Sequence, residues 1–138
     1  MLSNFERQLC DIQGRLFERS LDQELDSTDF TQKFMQSQTC KSLDLPYDRL
    51  QWAGEEYILE NLLEEISVQE AASRQFSREA LSWIGYVYRY WHFEDNDSSA
   101  NIYAVADAAF MNECYLGFHT LDVSMAIQDL KEISKQRK

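Results

Sequence analysis

Histidines, cysteines and carboxylates are the side chains in this sequence that could carry chemistry. His92 and His119 are the two histidines, and neither stands in a ligand-spaced motif such as HExxH. Cys114 precedes His119 by five positions, so the two could form a thiol–imidazole pair, although a buried and inert cysteine has the same pattern. Asp95 and Asp97 lack the glycine and the final glutamate that a calcium loop needs after them.

Carboxylate pairs are no better evidence of catalysis. The chain has 24 acidic residues, so neighbours such as Glu55 and Glu56, or Glu64 and Glu65, are expected by chance. We therefore expect a protein that is not an enzyme and has no catalytic residues, no cofactor and no metal site. A small enzyme that uses Cys114, His119 or a carboxylate pair is the least favoured hypothesis.

The charge of the chain points to a class of partner. Lys and Arg number 13 against 24 acidic residues, which gives a net charge of −11 at pH 7. Because nucleic-acid affinity depends on basic side chains, direct binding of DNA or RNA is disfavoured. Glu56, Glu60 and Glu64 follow one another at helical spacing, where like charges repel. They form either a solvated face or a contact surface for a basic partner.

Residues 76–93 give the strongest local signal, because they are rich in tryptophan and tyrosine. Ser77 is a candidate helix N-cap, and the apolar residues cover most of the helix circumference, as in a central buried helix. We expect a core position for Trp83, Ile84, Val87 and Trp91. Tyr86, Tyr88 and Tyr90 fit a core or a binding face equally, since each hydroxyl needs a partner or water.

The remaining periodicity is also helical. Apolar residues recur at steps of three and four over about 3–25, after Ser27, over 48–72, around 100–111 and from about 120 onward. Trp52 falls on the apolar stripe of the helix over 48–72, and Asp44 to Tyr47 form the clearest break, because Pro46 cannot lie inside a helix. The stretch around 100–111 is either one helix or two helices that meet near Asp107. With four glycines and one proline the chain has little turn chemistry for β-hairpins. We predict an all-α fold: a single domain, residues 1–138, forming a compact bundle of about six helices around the aromatic-rich one. The first helix is a candidate peripheral element.

The compartment follows from the cysteines and the hydropathy. Cys10, Cys40 and Cys114 are odd in number and lack CxxC spacing, which favours a reducing compartment. We see no signal-peptide pattern at the start and no apolar run of about 20 residues, the length of a membrane span. We therefore expect a cytoplasmic protein that does not enter membranes.

Three stretches are distinctive as strings: LDLPYDRLQWAGEEY at 43–57, LSWIGYVYRYW at 81–91 and YLGFHTLD at 115–122. Together they resemble a poorly characterised family of small bacterial proteins that are often encoded beside a small ADP-ribosyltransferase-like toxin. The resemblance covers the chain from about residue 29 onward. It implies an antitoxin or immunity protein whose partner is the toxin encoded next to it, and it transfers no catalytic residue.

The leading hypothesis is an acidic binding protein that neutralises a partner by direct contact. Charge complementarity raises the association rate toward a basic partner, and desolvated aromatic residues supply affinity. The predicted contact face consists of Glu56, Glu60, Glu64, Tyr86, Tyr88 and Arg89. The alternative is an acidic protein that mimics DNA and blocks a nucleic-acid-binding protein. The oligomeric state stays open.

Overall fold

The computed structural model describes residues 2–72 and 75–137. These residues form eight α-helices and, at Arg49–Trp52, one 3₁₀ helix. The α-helices are α1 (Asn4–Asp22), α2 (Ser27–Met35), α3 (Gln38–Asp44), α4 (Glu55–Glu65), α5 (Arg78–Asp95), α6 (Ser99–Val105), α7 (Ala108–Phe118) and α8 (Val123–Gln136). The predicted all-α class is confirmed, whereas the predicted number of about six helices is too low.

The extra helices arise from capping residues inside two predicted helical stretches. The Ser37 hydroxyl accepts a hydrogen bond from the backbone amide of Cys40 and starts α3. The Asp107 carboxylate accepts one from the amide of Phe110 and starts α7. Such a side chain satisfies an amide that the first turn leaves unpaired, so a new helix begins at each residue.

One predicted helix is shorter than expected. The helix predicted over 48–72 is replaced by the 3₁₀ helix and α4, which ends at Glu65. After it, the amide of Ala71 donates to the carbonyl of Glu24, and the amide of Asp26 donates to the carbonyl of Gln69, both at 2.8 Å. These long-range backbone hydrogen bonds hold residues 66–72 extended, and sequence periodicity does not report them.

Helix α5 lies at the centre of the core, against α1 and against α6, α7 and α8. Ile84, Val87 and Trp91 are buried as predicted, while Trp83 is half-buried. All eight helices contribute side chains to one apolar cluster. Burial of this apolar surface is the main driving force for folding.

Helix α1 is part of this core, so the prediction of a peripheral first helix is wrong. Leu16 and Phe17 are fully buried. Two glycines let α1 and α5 approach closely. A methyl group added at Gly85 would lie 2.6 Å from the Gln13 carbonyl oxygen, and one at Gly14 would lie 3.0 Å from that of Ser82. Any larger residue at these positions would push the helices apart.

Among the helices of residues 2–72 and 75–137, none combines the length and the apolar character needed to cross a bilayer.

Candidate functional site

The large apolar side chains that reach solvent are concentrated between the end of α3 and the first turn of α4. Four of them lie in residues 45–57, which we call the aromatic segment. Leu45, Tyr47, Trp52 and Tyr57 are 54 %, 93 %, 72 % and 56 % exposed. Scattered single apolar residues are normal on a protein surface, whereas four exposed ones within residues 45–57 make this segment a candidate interaction site.

Tyr47 has an unusual backbone. Its φ of +65° is in the left-handed region, which costs a residue with a β-carbon about 1–2 kcal/mol. The preceding Pro46 initiates the turn, and glycine or asparagine normally follows it at such an angle. Packing of the Tyr47 ring does not offset this conformational cost, because the side chain is almost fully exposed. An exposed ring at a strained position makes Tyr47 a candidate contact residue.

Hydrogen bonds and one ring contact hold the aromatic segment in place. The buried Gln51 side chain donates to the carbonyl of Leu43 at 3.0 Å and to that of Leu45 at 2.8 Å. The Asp48 carboxylate caps the 3₁₀ helix through the amide of Leu50 at 2.9 Å. The Trp52 ring lies 4.6 Å from that of Phe5 in α1. The segment is therefore pre-organised, which lowers the entropy lost on binding.

A groove lies beside the segment, between the 3₁₀ helix and α4. Its volume is about 510 Å³, and Asp48, Arg49, Tyr57 and Asn61 are among its lining residues. Its mixture of one cation, one anion, an amide and an aromatic ring is suited to polar side chains of a protein surface.

Arg89 was predicted as a contact residue, and this prediction is wrong. Its side chain is 1 % exposed and forms a buried ion pair with Asp44, Nη1 to Oδ1 at 2.6 Å. Arg89 Nε also donates to Gln13, and Asp44 accepts from the amide and hydroxyl of Ser99 at 2.9 and 2.7 Å. Because Asp44 ends α3, this network anchors the start of the aromatic segment and cannot touch a partner.

Tyr88 is the second corrected residue. It is fully buried, its hydroxyl donates to the carbonyl of Ala106 at 2.6 Å, and burial raises its pKa well above the ordinary value. Tyr86 is half-buried and lines a different groove, formed with α1 and α7. Of the two predicted tyrosines, Tyr88 therefore lies in the core and Tyr86 lies at the surface.

The three predicted glutamates are exposed, but they do not join Tyr86. Glu56, Glu60 and Glu64 follow one stripe of α4, whose opposite side is buried. Glu56 pairs with Arg19 of α1 at 2.6 Å, so α1 lies against this side of α4. Tyr57 projects from the same exposed side of the helix. The glutamates thus adjoin the aromatic segment.

Helix α1 separates this stripe from Tyr86. One side of α1 pairs with α4, while Asp22 on another side pairs with Arg78 of α5 at 2.7 Å, at the groove that Tyr86 lines. The six residues predicted as one face therefore fall into three places.

Cys114 and His119 do not form an activated pair. His119 Nδ1 lies 2.8 Å from the carbonyl oxygen of Tyr115, and its ring stacks on Tyr115 at 4.5 Å. Burial and the neighbouring Glu113 raise the pKa of the Cys114 thiol, which disfavours the reactive thiolate. Within residues 2–72 and 75–137, no group of three or more His, Cys, Asp or Glu side chains is placed to hold a metal.

The aromatic segment was not predicted as a site. Trp52 was assigned to the apolar stripe of a helix over 48–72, and Leu45 to Tyr47 was treated only as a break. The available signal was Tyr47 directly after Pro46, because proline does not continue a helix and a ring beside it has no helical side to pack on.

No protein-family model, no curated protein and no solved structure matches this chain. The motif resemblance to a toxin-associated family stays a prediction.

Proposed function

We propose that this protein binds a basic protein partner through the aromatic segment and the carboxylates of α4, and that it acts by covering the partner's working surface. The observation that carries the proposal is the exposure of Tyr47, Trp52 and Tyr57 on a pinned, strained segment. The motif resemblance supports a toxin as the partner, with this chain as its antitoxin or immunity protein.

Affinity would come from the aromatic residues. Tryptophan and tyrosine supply most of the energetic hot spots in protein interfaces, where truncation costs about 2 kcal/mol or more. The hydrogen bonds of Gln51 hold the segment before binding, so little order has to be created in the complex.

The charge would set the choice of partner. Glu56, Glu60 and Glu64 adjoin Tyr57, and the chain as a whole carries −11. A negative rim accelerates encounter with a positive surface and disfavours acidic proteins. The same charge keeps the site from nucleic acid phosphates.

The test is a binding measurement with the product of the neighbouring gene, which the resemblance names as the partner. We expect Trp52→Ala and Tyr47→Ala each to weaken binding about tenfold or more, as for hot-spot residues. Leu116→Ala and Met125→Ala are matched controls, since both side chains are exposed and lie outside the aromatic segment, and both should bind as the parent does. Equal losses in all four variants would contradict the proposal.

The contribution of charge is tested separately. Reversal of Glu60 and Glu64 to lysine should slow association at low salt and flatten its salt dependence. If association and its salt dependence are unchanged, the α4 carboxylates are not part of the site.

The exposed row of α4 carboxylates also fits the alternative, a mimic of DNA. Successive glutamates are one helical turn apart, about 6 Å along the axis, and form a regular line of negative charge. A mimic would compete with duplex DNA for its partner, whereas an aromatic hot spot would not. Competition by DNA together with full binding by Trp52→Ala would favour the mimic.

A further inference from the structure

A second groove lies on the other side of α1 from the aromatic segment. It is formed by α1, α5 and α7 and has a volume of about 440 Å³. Its lining is Glu18, Arg78, Glu79, Ser82, Trp83, Tyr86, Tyr115 and His119.

The rings in this groove are held in place by one another. Trp83 and Tyr115 meet edge to face, with centroids 5.9 Å apart and planes at 67°. Tyr115 is stacked on His119 at 4.5 Å, and Tyr86 packs beside Tyr90 at 6.2 Å. Trp83, Tyr86 and Tyr115 are all half-buried, so part of each ring reaches the groove. Such π-systems attract a cation over their faces.

The charges around the groove favour a positive ligand. Glu18, Glu79, Arg78 and His119 line it, and the Arg78 guanidinium is engaged by Asp22 at 2.7 Å and by Glu18 at 3.8 Å. The charge of Arg78 is therefore balanced by its own ion pairs, and Glu79 adds negative charge to the lining. An incoming anion would be repelled, and an incoming cation would meet both carboxylates and rings.

At two other places in the chain, a cationic side chain lies over an aromatic ring and also pairs with a carboxylate. Lys131 lies over the Trp91 ring at 5.9 Å and pairs with Asp95. Arg137 lies over the Phe110 ring at 4.8 Å and pairs with Glu113 at 3.8 Å.

In the groove the rings and the carboxylates are both present. No cation of the described part of the chain lies over Trp83, Tyr86 or Tyr115.

We propose that this groove binds the guanidinium group of an arginine side chain from a basic peptide segment. A guanidinium is planar, so it can stack on an aromatic ring while its N–H groups donate to a carboxylate in its own plane. An ammonium group can satisfy the charge but not the stacking. The site lies apart from the aromatic segment, and the inference does not depend on the function proposed for that segment.

The test is an NMR titration of the ¹⁵N-labelled protein with a tri-arginine peptide capped at both ends. The chain has three tryptophans, so Trp83 reports on the groove while Trp52 and Trp91 are internal controls. We expect saturable shifts of the Trp83 indole signal. A peptide with citrulline in place of arginine keeps the shape without the charge and should not bind. Tri-lysine should bind about two- to fivefold more weakly, because an ammonium keeps the cation–π attraction but lacks the planar stacking and in-plane pairing of a guanidinium.

Substitutions of single side chains test which residues contact the arginine peptide. Glu79→Gln changes only an exposed side chain and should weaken the peptide about two- to fivefold. Tyr115→Leu should weaken it to a similar extent, and an unchanged backbone spectrum elsewhere is its control for folding. Trp52→Ala should leave peptide binding intact even where it abolishes partner binding, so the two proposals fail separately. Equal binding of the citrulline peptide, equal binding of tri-lysine, or shifts at Trp52 alone would overturn the assignment.

Discussion

Tyr47 shows how a single residue can be placed against its own conformational preference. Its left-handed φ of +65° would suit glycine, and its ring gains nothing from the core. The chain therefore carries a local cost that binding would explain.

Two substitutions at Tyr47 separate the effect of backbone strain on stability from the effect of the ring on binding. Tyr47→Gly should be more stable to urea than Tyr47→Ala by about 1 kcal/mol, because only glycine adopts this φ without strain. Both variants should lose partner binding to the same degree, since both lack the ring. If the alanine variant is as stable as the glycine variant, the backbone at residue 47 is not strained.

Arg89 illustrates the opposite case, a charged residue that belongs to the core. Arg89→Met would leave the Asp44 carboxylate in a buried site without its ion-pair partner, and we expect a loss of about 3–5 kcal/mol in the free energy of unfolding. Arg15→Met is the matched control, because the Arg15 side chain is 53 % exposed and its pair with Glu55 should contribute about 0–1 kcal/mol. Urea denaturation measures both, and similar losses in the two variants would contradict the buried network.

At the scale of the helices, the contact between α1 and α5 depends on two glycines. Gly85→Ala would place a methyl group 2.6 Å from the Gln13 carbonyl and 2.9 Å from the Phe17 ring, so the helices must separate. We expect a loss of about 1–3 kcal/mol, typical of overpacking.

Gly117→Ala is the control for this substitution. Gly117 lies within α7 and has open space around it, so alanine there should stabilise the helix by about 0.5–1 kcal/mol. Thermal unfolding of the two variants should therefore show opposite shifts. A stabilised Gly85→Ala variant would show that α1 and α5 are not in close contact.

Sequence periodicity identified the helices better than it identified their ends. The apolar steps of α1, α5 and α8 were readable because each buries one side over several turns. The break at Ser37 was missed because a capping residue looks like any other serine until its bond to Cys40 is seen. The extended residues 66–72 were missed because their hydrogen bonds go to residues far away in the sequence.

The site was predictable only in part. Helical spacing placed Glu56, Glu60 and Glu64 on one exposed stripe of α4. Arg89 was predicted as a contact residue, but only the tertiary structure brings Asp44 and Gln13 to its side chain. Trp52 was assigned to the core because its position fitted an apolar stripe, whereas the chain leaves the α-helical path before α4.

The whole molecule is an acidic helical protein, and its exposed aromatic side chains are concentrated in the aromatic segment. The core is closed by apolar packing and by the Arg89 network, so these surface rings are not needed to complete it. The proposed contact site thus lies on the connection between α3 and α4 and on the first turn of α4, as is common for binding sites on a rigid scaffold.

Amide hydrogen exchange of this protein, free and with the product of the neighbouring gene, tests the central claim most directly. The account predicts a complex in which amides of residues 45–57 exchange more slowly than in the free protein, while those of α8 are unchanged. Absence of a complex, or protection confined to helices away from residues 45–57, would contradict it.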